Sequence, residues 1–109
     1  MRVLRFIVDG SNIIQDPSCD FSGLFPGSET CIKAEFAFSQ EWTGMIKVAA
    51  FWSIIGSEYP PQILDDTNSC LIPNEALIRP AFKIQLLGKS AKTMIKTNNI
   101  TVYQRGGTM

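Results

Sequence analysis

Histidine is absent from this 109-residue sequence, and its absence removes several kinds of active site at once. A Ser-His-Asp triad, a Cys-His pair and a histidine metal site all need the imidazole ring, which is also the commonest general base near neutral pH. The adjacent carboxylates Asp65 and Asp66 fall in a cluster of turn-forming residues, where aspartate usually bonds to its own backbone. We therefore expect a non-enzyme with no catalytic residue, no cofactor and no bound metal.

Net charge and long apolar runs are also lacking. Lys and Arg number 10, Asp and Glu number 10, and no basic run is present, so the electrostatic signature of a nucleic-acid-binding protein is missing. No segment approaches the roughly 20 apolar residues of a membrane-spanning helix. Residues 1–8 also lack the apolar core and cleavage site of a secretory signal. The sequence predicts a soluble protein, made in a cytoplasm, whose partners are neither nucleic acid nor membrane.

Cysteine is scarce, with Cys19, Cys31 and Cys70 the three in the chain. An odd number cannot pair completely within one chain, and these spacings match no metal-ligand motif. We interpret all three as free thiols that pack against apolar neighbours in a reducing compartment.

What the sequence does contain is an alternation of apolar and polar residues, clearest in the segment Cys31–Ile54. Its first half has the period-2 pattern of a half-buried strand, with apolar residues at Ile32, Ala34, Phe36 and Phe38. Its second half has one apolar face, made by Ile46, Val48, Ala50 and Trp52. The other face contains both apolar and polar residues, which is typical of a more central strand. With a turn at residues 41–44 between the halves, the segment predicts a β-hairpin.

The rest of the chain repeats this pattern in short segments. Further strands are predicted at 3–8, 12–15, 20–24, 62–64, 70–72, 82–87, 93–97 and 100–104. Tight turns are predicted at 9–10 (type I′), 88–90 and 98–99, and one helical turn near 74–78, capped by Asn74. Residues 1–109 should form one all-β domain, an antiparallel β-sandwich of immunoglobulin-like or related type or a partly closed barrel.

Two groups of apolar residues are candidates for binding. An aromatic platform for sugars would use Trp42, Trp52, Tyr59 and Phe51, although core packing accounts for them more simply, and Trp42 is expected to close one end of the core. A surface for a protein partner would use the apolar residues that fit no strand face, Phe21, Leu24, Phe25, Tyr59, Pro60 and Pro61. The alternative for this second group is that its members anchor loops.

Four segments resemble small structural proteins from the tail and baseplate gene regions of phages and prophages of Gram-positive gut bacteria. Residues Phe36–Phe51 are similar to that group's "F-x-F-S-x-E-W-x-G-x-x-K-x-A-x-F" stretch. Residues 8–14 resemble its opening hairpin, 70–77 its "C-x-I-P-x-E-x-L" stretch, and 97–102 its closing "T-N-x-x-x-V" strand. The order is the same along almost the whole chain, whereas residues 18–29 depart from the group's "L-V-S-G-S" stretch.

The resemblance implies a virion structural module, made in the bacterial host, that acts by protein–protein contact. Its partners would be other virion structural proteins and copies of itself as a homo-oligomer. Members of the group often continue into a C-terminal fibre, so the chain is expected to be either a free-standing subunit or one whose fibre lies on another chain. A carbohydrate-binding or host-recognition module on the same fold is the alternative, with a glycan as its ligand.

Overall fold

A computed structural model describes residues 2–24, 26 and 31–104, and within them the chain is built from short strands. The strands are β1 (Arg2–Asp9), β2 (Asn12–Gln15), β3 (Ile32–Phe38), β4 (Ile46–Ser53), β5 (Gln62–Ile63), β6 (Ser69–Leu71), β7 (Ala81–Lys89), β8 (Met94–Lys96) and β9 (Ile100–Tyr103). A 3-10 turn, Gln40–Trp42, follows β3, and one helical turn, α1 (Asn74–Leu77), precedes β7.

The strands form two sheets that pack as a sandwich. The first has the order β2-β1-β3-β6, and the second has the order β5-β4-β7-β8, with β9 also paired to β7. The first sheet contributes Leu4, Phe6, Val8, Ala34 and Phe36 to the core, and the second contributes Phe51, Phe82, Ile84, Leu86 and Val102. The predicted β-sandwich is confirmed, and the described strands do not close into a barrel.

One strand pair departs from the predicted antiparallel arrangement. Strands β1 and β3 run parallel, with Leu4 opposite Ala34 and Phe6 opposite Phe36. Parallel neighbours need a long crossover, and here β3 follows β2 in the chain but lies on the other side of β1. No strand forms at 20–24, where the sequence predicted one.

The predicted hairpin over Cys31–Ile54 is wrong. Both strands exist, but β3 belongs to the first sheet and β4 to the second. The side chain of Trp42, in the 3-10 turn between them, is fully buried, so the connection crosses the sandwich end instead of folding back. Strand β4 is central, as predicted, but its core-facing residues are Ala49, Phe51 and Ser53, while Ile46 is 66% exposed.

Trp42 closes one end of the core, as predicted, by contacting both sheets. Its indole Nε1 donates a 2.8 Å hydrogen bond to the carbonyl of Gly10 in the β1–β2 turn. Its ring centroid lies 5.0 Å from that of Phe38 at the end of β3. The ring also lies against Gly88 of β7, where an added Cβ would come within 2.5 Å of it.

This packing explains why Gly88 is not the turn residue that the sequence predicted. Glycine within a strand often marks a close approach by another group, and here β7 continues through Gly88 to Lys89. The chain turns later, where the Ser90 N–H donates to the carbonyl of Thr93 over 2.8 Å.

The chain connects two strands at each of the predicted turns, 9–10 and 98–99, but the turn type at the first and the strand pairing at the second differ from the prediction. Positive φ occurs at Gly10 (58°) and not at Ser11, so the β1–β2 turn is not type I′. Strands β8 and β9 both pair with β7 instead of with each other. The Asn98 side-chain oxygen instead accepts a 2.9 Å bond from the Ile13 N–H, which joins this connection to the other sheet.

The predicted helical turn forms as α1, but Asn74 does not cap it. Pro73 occupies the capping position, and no side chain accepts a bond there. At the other end, the Gln104 side-chain amide donates to the carbonyls of Leu77 (2.9 Å) and Arg79 (2.7 Å). A buried glutamine therefore fixes the segment that leads into β7.

Replacing Trp42 by alanine should lower the free energy of unfolding by about 3–5 kcal/mol, because the change removes a fully buried aromatic that contacts both sheets. Trp42→Phe keeps most of the apolar volume and loses the bond to Gly10, so its effect should be smaller. Urea unfolding followed by circular dichroism measures both. An unchanged midpoint in Trp42→Ala would show that the side chain does not occupy the core.

Gly88→Ala should also destabilise the fold, by about 1–3 kcal/mol, since the new methyl group overlaps the Trp42 ring. Gly44→Ala is a useful comparison, because a Cβ at this position meets no atom within 4 Å. Any loss of stability in that variant comes from the backbone strain of an alanine at φ of 80°. In the double variant Gly88→Ala, Trp42→Ala the two losses should not add, since the overlap is gone. Full additivity in thermal unfolding would contradict the contact.

Candidate interaction surface

The structure separates the predicted partner residues into two places. Phe21 packs edge-on against Phe6 with ring centroids 5.5 Å apart, and Leu24 is 3% exposed in the core. A buried Leu24 cannot contact a partner, so the loop-anchor alternative holds for it, and Phe21 also packs against the core. Phe25 lies outside the described residues. Of the other three, Tyr59 lies beside Phe51, towards the end of the sandwich opposite to Trp42. Pro60 and Pro61 lead from there along the edge of β4 to Gln62, which lies opposite Ala49.

At this opposite end lies a cavity of about 250 Å³, called here the end pocket, lined mainly by apolar side chains. Its walls include Ile54, Ile55, Ser57, Tyr59, Arg79 and Pro80. They come from the loop after β4 and from the segment between α1 and β7, which Gln104 fixes.

A tight turn presents the isoleucines at the mouth of the end pocket. The Ser53 N–H donates to the Ser57 carbonyl over 2.8 Å, and the Ser53 Oγ accepts from the Ser57 N–H over 2.9 Å. Gly56 takes φ of 102°, a backbone conformation that other residues rarely adopt. Ile54 is consequently 53% exposed and Ile55 87% exposed, although both are large apolar side chains.

Tyr59 forms part of the wall of the end pocket. Its backbone N–H donates to the Phe51 carbonyl over 2.9 Å, which fixes the residue beside β4. Its phenol oxygen is buried and has no hydrogen-bond partner among the described residues. The ring therefore contributes apolar surface to the end pocket, together with a hydroxyl that the described residues leave unsatisfied.

A second exposed surface is the solvent side of the five-stranded sheet, called here the outer sheet face. Paired residues of neighbouring strands share a face, so Val48 lies beside Ile63 and Leu87, while Lys89 lies between Ile46 and Met94. Ile46 is 66%, Ile63 74% and Met94 65% exposed. Contiguous apolar surface of this kind is typical of an interaction site.

The strands of the outer sheet face contribute charge of one sign, and Glu58, bridged to Trp52 in the loop before β5, adds a carboxylate at the edge of this face. Lys83, Lys89 and Lys96 are distributed among its aliphatic residues, and none of the strands β4, β5, β7, β8 and β9 contains Asp or Glu. No ion pair involves these lysines within the described part of the chain. The first sheet differs, since Glu35 there lies 3.3 Å from Arg5 and 3.7 Å from Lys33.

The sequence did not identify the outer sheet face as a candidate, although its apolar residues were visible. Ile46 and Val48 alternate like core residues, and the pattern alone does not say which face of β4 is covered. The two faces of β4 are distinguished by a tertiary contact. Phe51 packs against Phe82 with ring centroids 6.1 Å apart, so the face of β4 that contains Phe51 points into the core and the face that contains Ile46 and Val48 points to solvent.

The aromatic platform predicted for sugars is not assembled. Trp42 and Phe51 are fully buried, and Tyr59 lines the end pocket. Trp52 alone of the four lies on the outer sheet face, partly exposed and paired with Lys83.

Acidic residues in turns bond to their own backbone, as the sequence predicted for Asp65. Its Oδ1 accepts from the Thr67 N–H (2.9 Å) and hydroxyl (2.6 Å) and from the Ser69 N–H (3.0 Å). The hydroxyl bond from Thr67 is the main reason that the pKa of Asp65 lies below its usual value. Among the described residues no group of acidic or cysteine side chains is arranged to hold a metal ion.

The three cysteines are free thiols in different environments. Cys19 and Cys70 are partly buried, and burial is the main cause that raises the pKa of Cys70 to about 12, with the Asp65 charge second. A thiol with so high a pKa is a poor nucleophile at neutral pH. Cys31 is exposed, so the prediction that all three pack against apolar neighbours is wrong for this residue.

No family model, curated protein or solved structure matches the chain. Within residues 2–24, 26 and 31–104, no helix is long and apolar enough to cross a membrane.

Proposed function

We propose that this protein is a non-enzymatic structural subunit of a phage tail or baseplate, which acts in the virion through contacts with other structural proteins and with copies of itself. The observation that carries the proposal is the outer sheet face, an exposed apolar surface built on rigid strands. Ile46, Ile63 and Met94 remain largely in water in the isolated chain, and a partner protein would cover them.

The roles of the motif residues also support a structural subunit. The segments that resemble tail and baseplate proteins contain the β1–β2 turn, Trp42, α1 and the Thr97 connection. Thr97 Oγ1 accepts a 3.0 Å bond from the Leu86 N–H and donates over 2.7 Å to the Asn98 carbonyl. Each of these segments makes contacts that maintain the fold.

The lysines of the outer sheet face favour a protein partner over nucleic acid. Nucleic-acid affinity depends mainly on clustered positive charge that neutralises phosphates. Here Lys89 and Lys96 are interleaved with Leu87, Ile46 and Met94, and the whole chain has a formal net charge of zero. A mixed apolar and cationic face suits a partner surface of apolar residues and carboxylates.

We expect the protein to be a stoichiometric component of phage particles. Particles would be purified by density gradient from a host that carries the gene, and their peptides counted by mass spectrometry. The chain should remain with the tail through a high-salt wash, and Ile63→Asp with Ile46→Asp should reduce its incorporation severalfold. These sites are largely exposed, so the variants should still fold, as a thermal melt would check. Particles that lack the protein would contradict the proposal.

A carbohydrate-binding module is the second candidate, and the position of Trp52 favours it. This aromatic ring lies partly exposed on the outer sheet face, in one row with Lys83 and Thr101, where a sugar could stack on it. Calorimetric titration with cell-wall polysaccharide of the host should then show saturable binding that Trp52→Ala weakens at least about tenfold, while Ile55→Ala has no effect. Absence of binding in the wild-type protein would exclude this candidate.

A further inference from the structure

We propose that the side of β9 away from β7, called here the β9 edge, is a strand-addition site. An extended segment of another structural protein, with alternating apolar and polar residues, adds there to the five-stranded sheet as a further antiparallel strand. The inference rests on the proposed function for the class of partner. It adds the surface and the form in which the partner binds.

The backbone of β9 has hydrogen-bonding groups that point away from β7. Gln104, directly after β9, donates from its N–H to the Pro80 carbonyl over 2.7 Å, which fixes the alternation of the ladder. Hydrogen-bonded pairs recur at every second residue of antiparallel strands, so Val102 opposite Phe82 is the next bonded pair. The N–H and carbonyl of Thr101 therefore point outward, and no hydrogen bond among the described residues uses them.

Three other outermost strands have features that oppose a further strand. Strand β5 is two residues long and directly follows Pro60 and Pro61. At β6, Asp65 accepts from the Ser69 N–H through its Oδ1 and donates from its own N–H to the Ser69 carbonyl, each over 3.0 Å. Strand β8 is three residues long and ends at Lys96. Short strands, prolines and lysines are common means of protecting a sheet edge.

Strands β2 and β9 border the same side of the sandwich, and only β2 is protected there. The side-chain oxygen of Asn98 accepts the outward N–H of Ile13 over 2.9 Å. Strand β9, Ile100–Tyr103, contains neither a charged residue nor proline, and its residue types favour strands. Among the described strands, β9 is therefore the outermost strand that lacks these protections.

Beside the β9 edge lies a cavity of about 510 Å³, called here the side groove. Its walls come from β2, from the loop that follows β2, and from β9, and include Gln15, Phe21, Ser22, Leu24, Thr101 and Tyr103. Phe21 and Leu24 also pack in the core and give the groove an apolar side, whereas Ser22 and Thr101 are polar. An extended segment projects alternate side chains to opposite sides, so alternating apolar and polar residues match these walls.

The walls of the side groove are held in place before a partner binds. The Arg2 guanidinium donates to the carbonyls of Asp20 and Ser22. The Asp20 carboxylate accepts from the Ser22 N–H over 2.8 Å and from its hydroxyl over 2.6 Å. The Asn98 N–H donates to the Ser11 carbonyl over 3.1 Å, which joins the two walls at one end. A preformed groove loses little conformational freedom on binding.

The side groove favours a single extended segment over a second folded copy as the occupant. Two copies that paired through their β9 edges would bring one sheet edge to the other and leave both grooves unfilled. A single segment pairs with Thr101 and places its apolar side chains against Phe21 and Leu24 at the same time. Main-chain bonds then give affinity, and alternate side chains give specificity.

The experiment uses a short synthetic peptide of alternating threonine and valine, with a lysine at each end. In an antiparallel pair, the peptide residues that bond to Thr101 have side chains on the same face as Thr101, so the valines point towards Phe21 and Leu24. The form with N-methyl groups on its valines should bind saturably in a fluorescence anisotropy titration. The form methylated on its threonines should bind at least about tenfold more weakly, because it lacks the donors that face β9.

Hydrogen exchange of single amides, followed by NMR, locates the binding. In the free chain the Thr101 amide should exchange much faster than the Val102 amide, since Val102 is bonded to β7. Saturation with the valine-methylated peptide should slow exchange at Thr101 at least about tenfold. The amide of Met94, on the outer strand β8 of the same sheet, is the internal control and should not change.

Three variants separate the backbone donor from the side chain. Thr101→Pro removes an outward N–H, a change that edge strands tolerate, and should weaken peptide binding at least about tenfold. Thr101→Val keeps the N–H and should bind like the wild type. Met94→Pro makes the same change on β8 and should leave binding unchanged. Thermal melts report whether each variant folds, and the two methylated peptides decide the matter if Thr101→Pro does not.

Three results would overturn the inference. The first is slow exchange of the Thr101 amide in the free chain, which would show that a second copy or another segment of this chain already covers the β9 edge. The second is equal binding of the two methylated peptides, and the third is saturable binding of neither. None of these results bears on whether the protein is a component of phage particles, so the two proposals fail separately.

Discussion

The contact of Trp42 with both sheets is the interaction on which the rest of the structure depends. Its Nε1 bonds to Gly10 of the first sheet, while its ring lies on Gly88 of the second. Because Gly88 has no side chain, the Trp42 ring packs directly against the backbone of β7. The contact fixes the distance and rotation between the sheets at one end, and the connection from β3 to β4 crosses there as a result.

A second tie between the sheets works with the first. The side-chain oxygen of Asn98 accepts a hydrogen bond from the Ile13 N–H, and the backbone N–H of Asn98 donates to the Ser11 carbonyl. The connection after β8 is therefore bonded to the β1–β2 hairpin. Thr97, 3% exposed, joins the same connection to β7. Both contacts lie close to the β1–β2 hairpin. At the opposite end of the sandwich, the hydrogen bonds of Gln104 and of the turn at Ser53 hold the chain in place.

This division gives the two exposed surfaces different physical character. The outer sheet face is mainly apolar and positively charged, because alternate residues of paired strands project together and these strands contain lysines but no acidic residue. The end pocket is concave, because the loop after β4 and the segment before β7 meet there, and its wall includes the cationic side chain of Arg79.

The fold class, most strand positions and the helical turn could be predicted from the amino-acid sequence, because period-2 alternation and turn residues are local properties. It also determined the local role of Asp65 and the burial of Trp42. Tertiary structure alone decided that β3 and β4 lie in different sheets, that β1 and β3 are parallel, and that Gly88 lies within a strand beneath Trp42. It also decided which face of β4 is covered. These features depend on contacts between residues far apart in the chain, which alternation along a single strand does not encode.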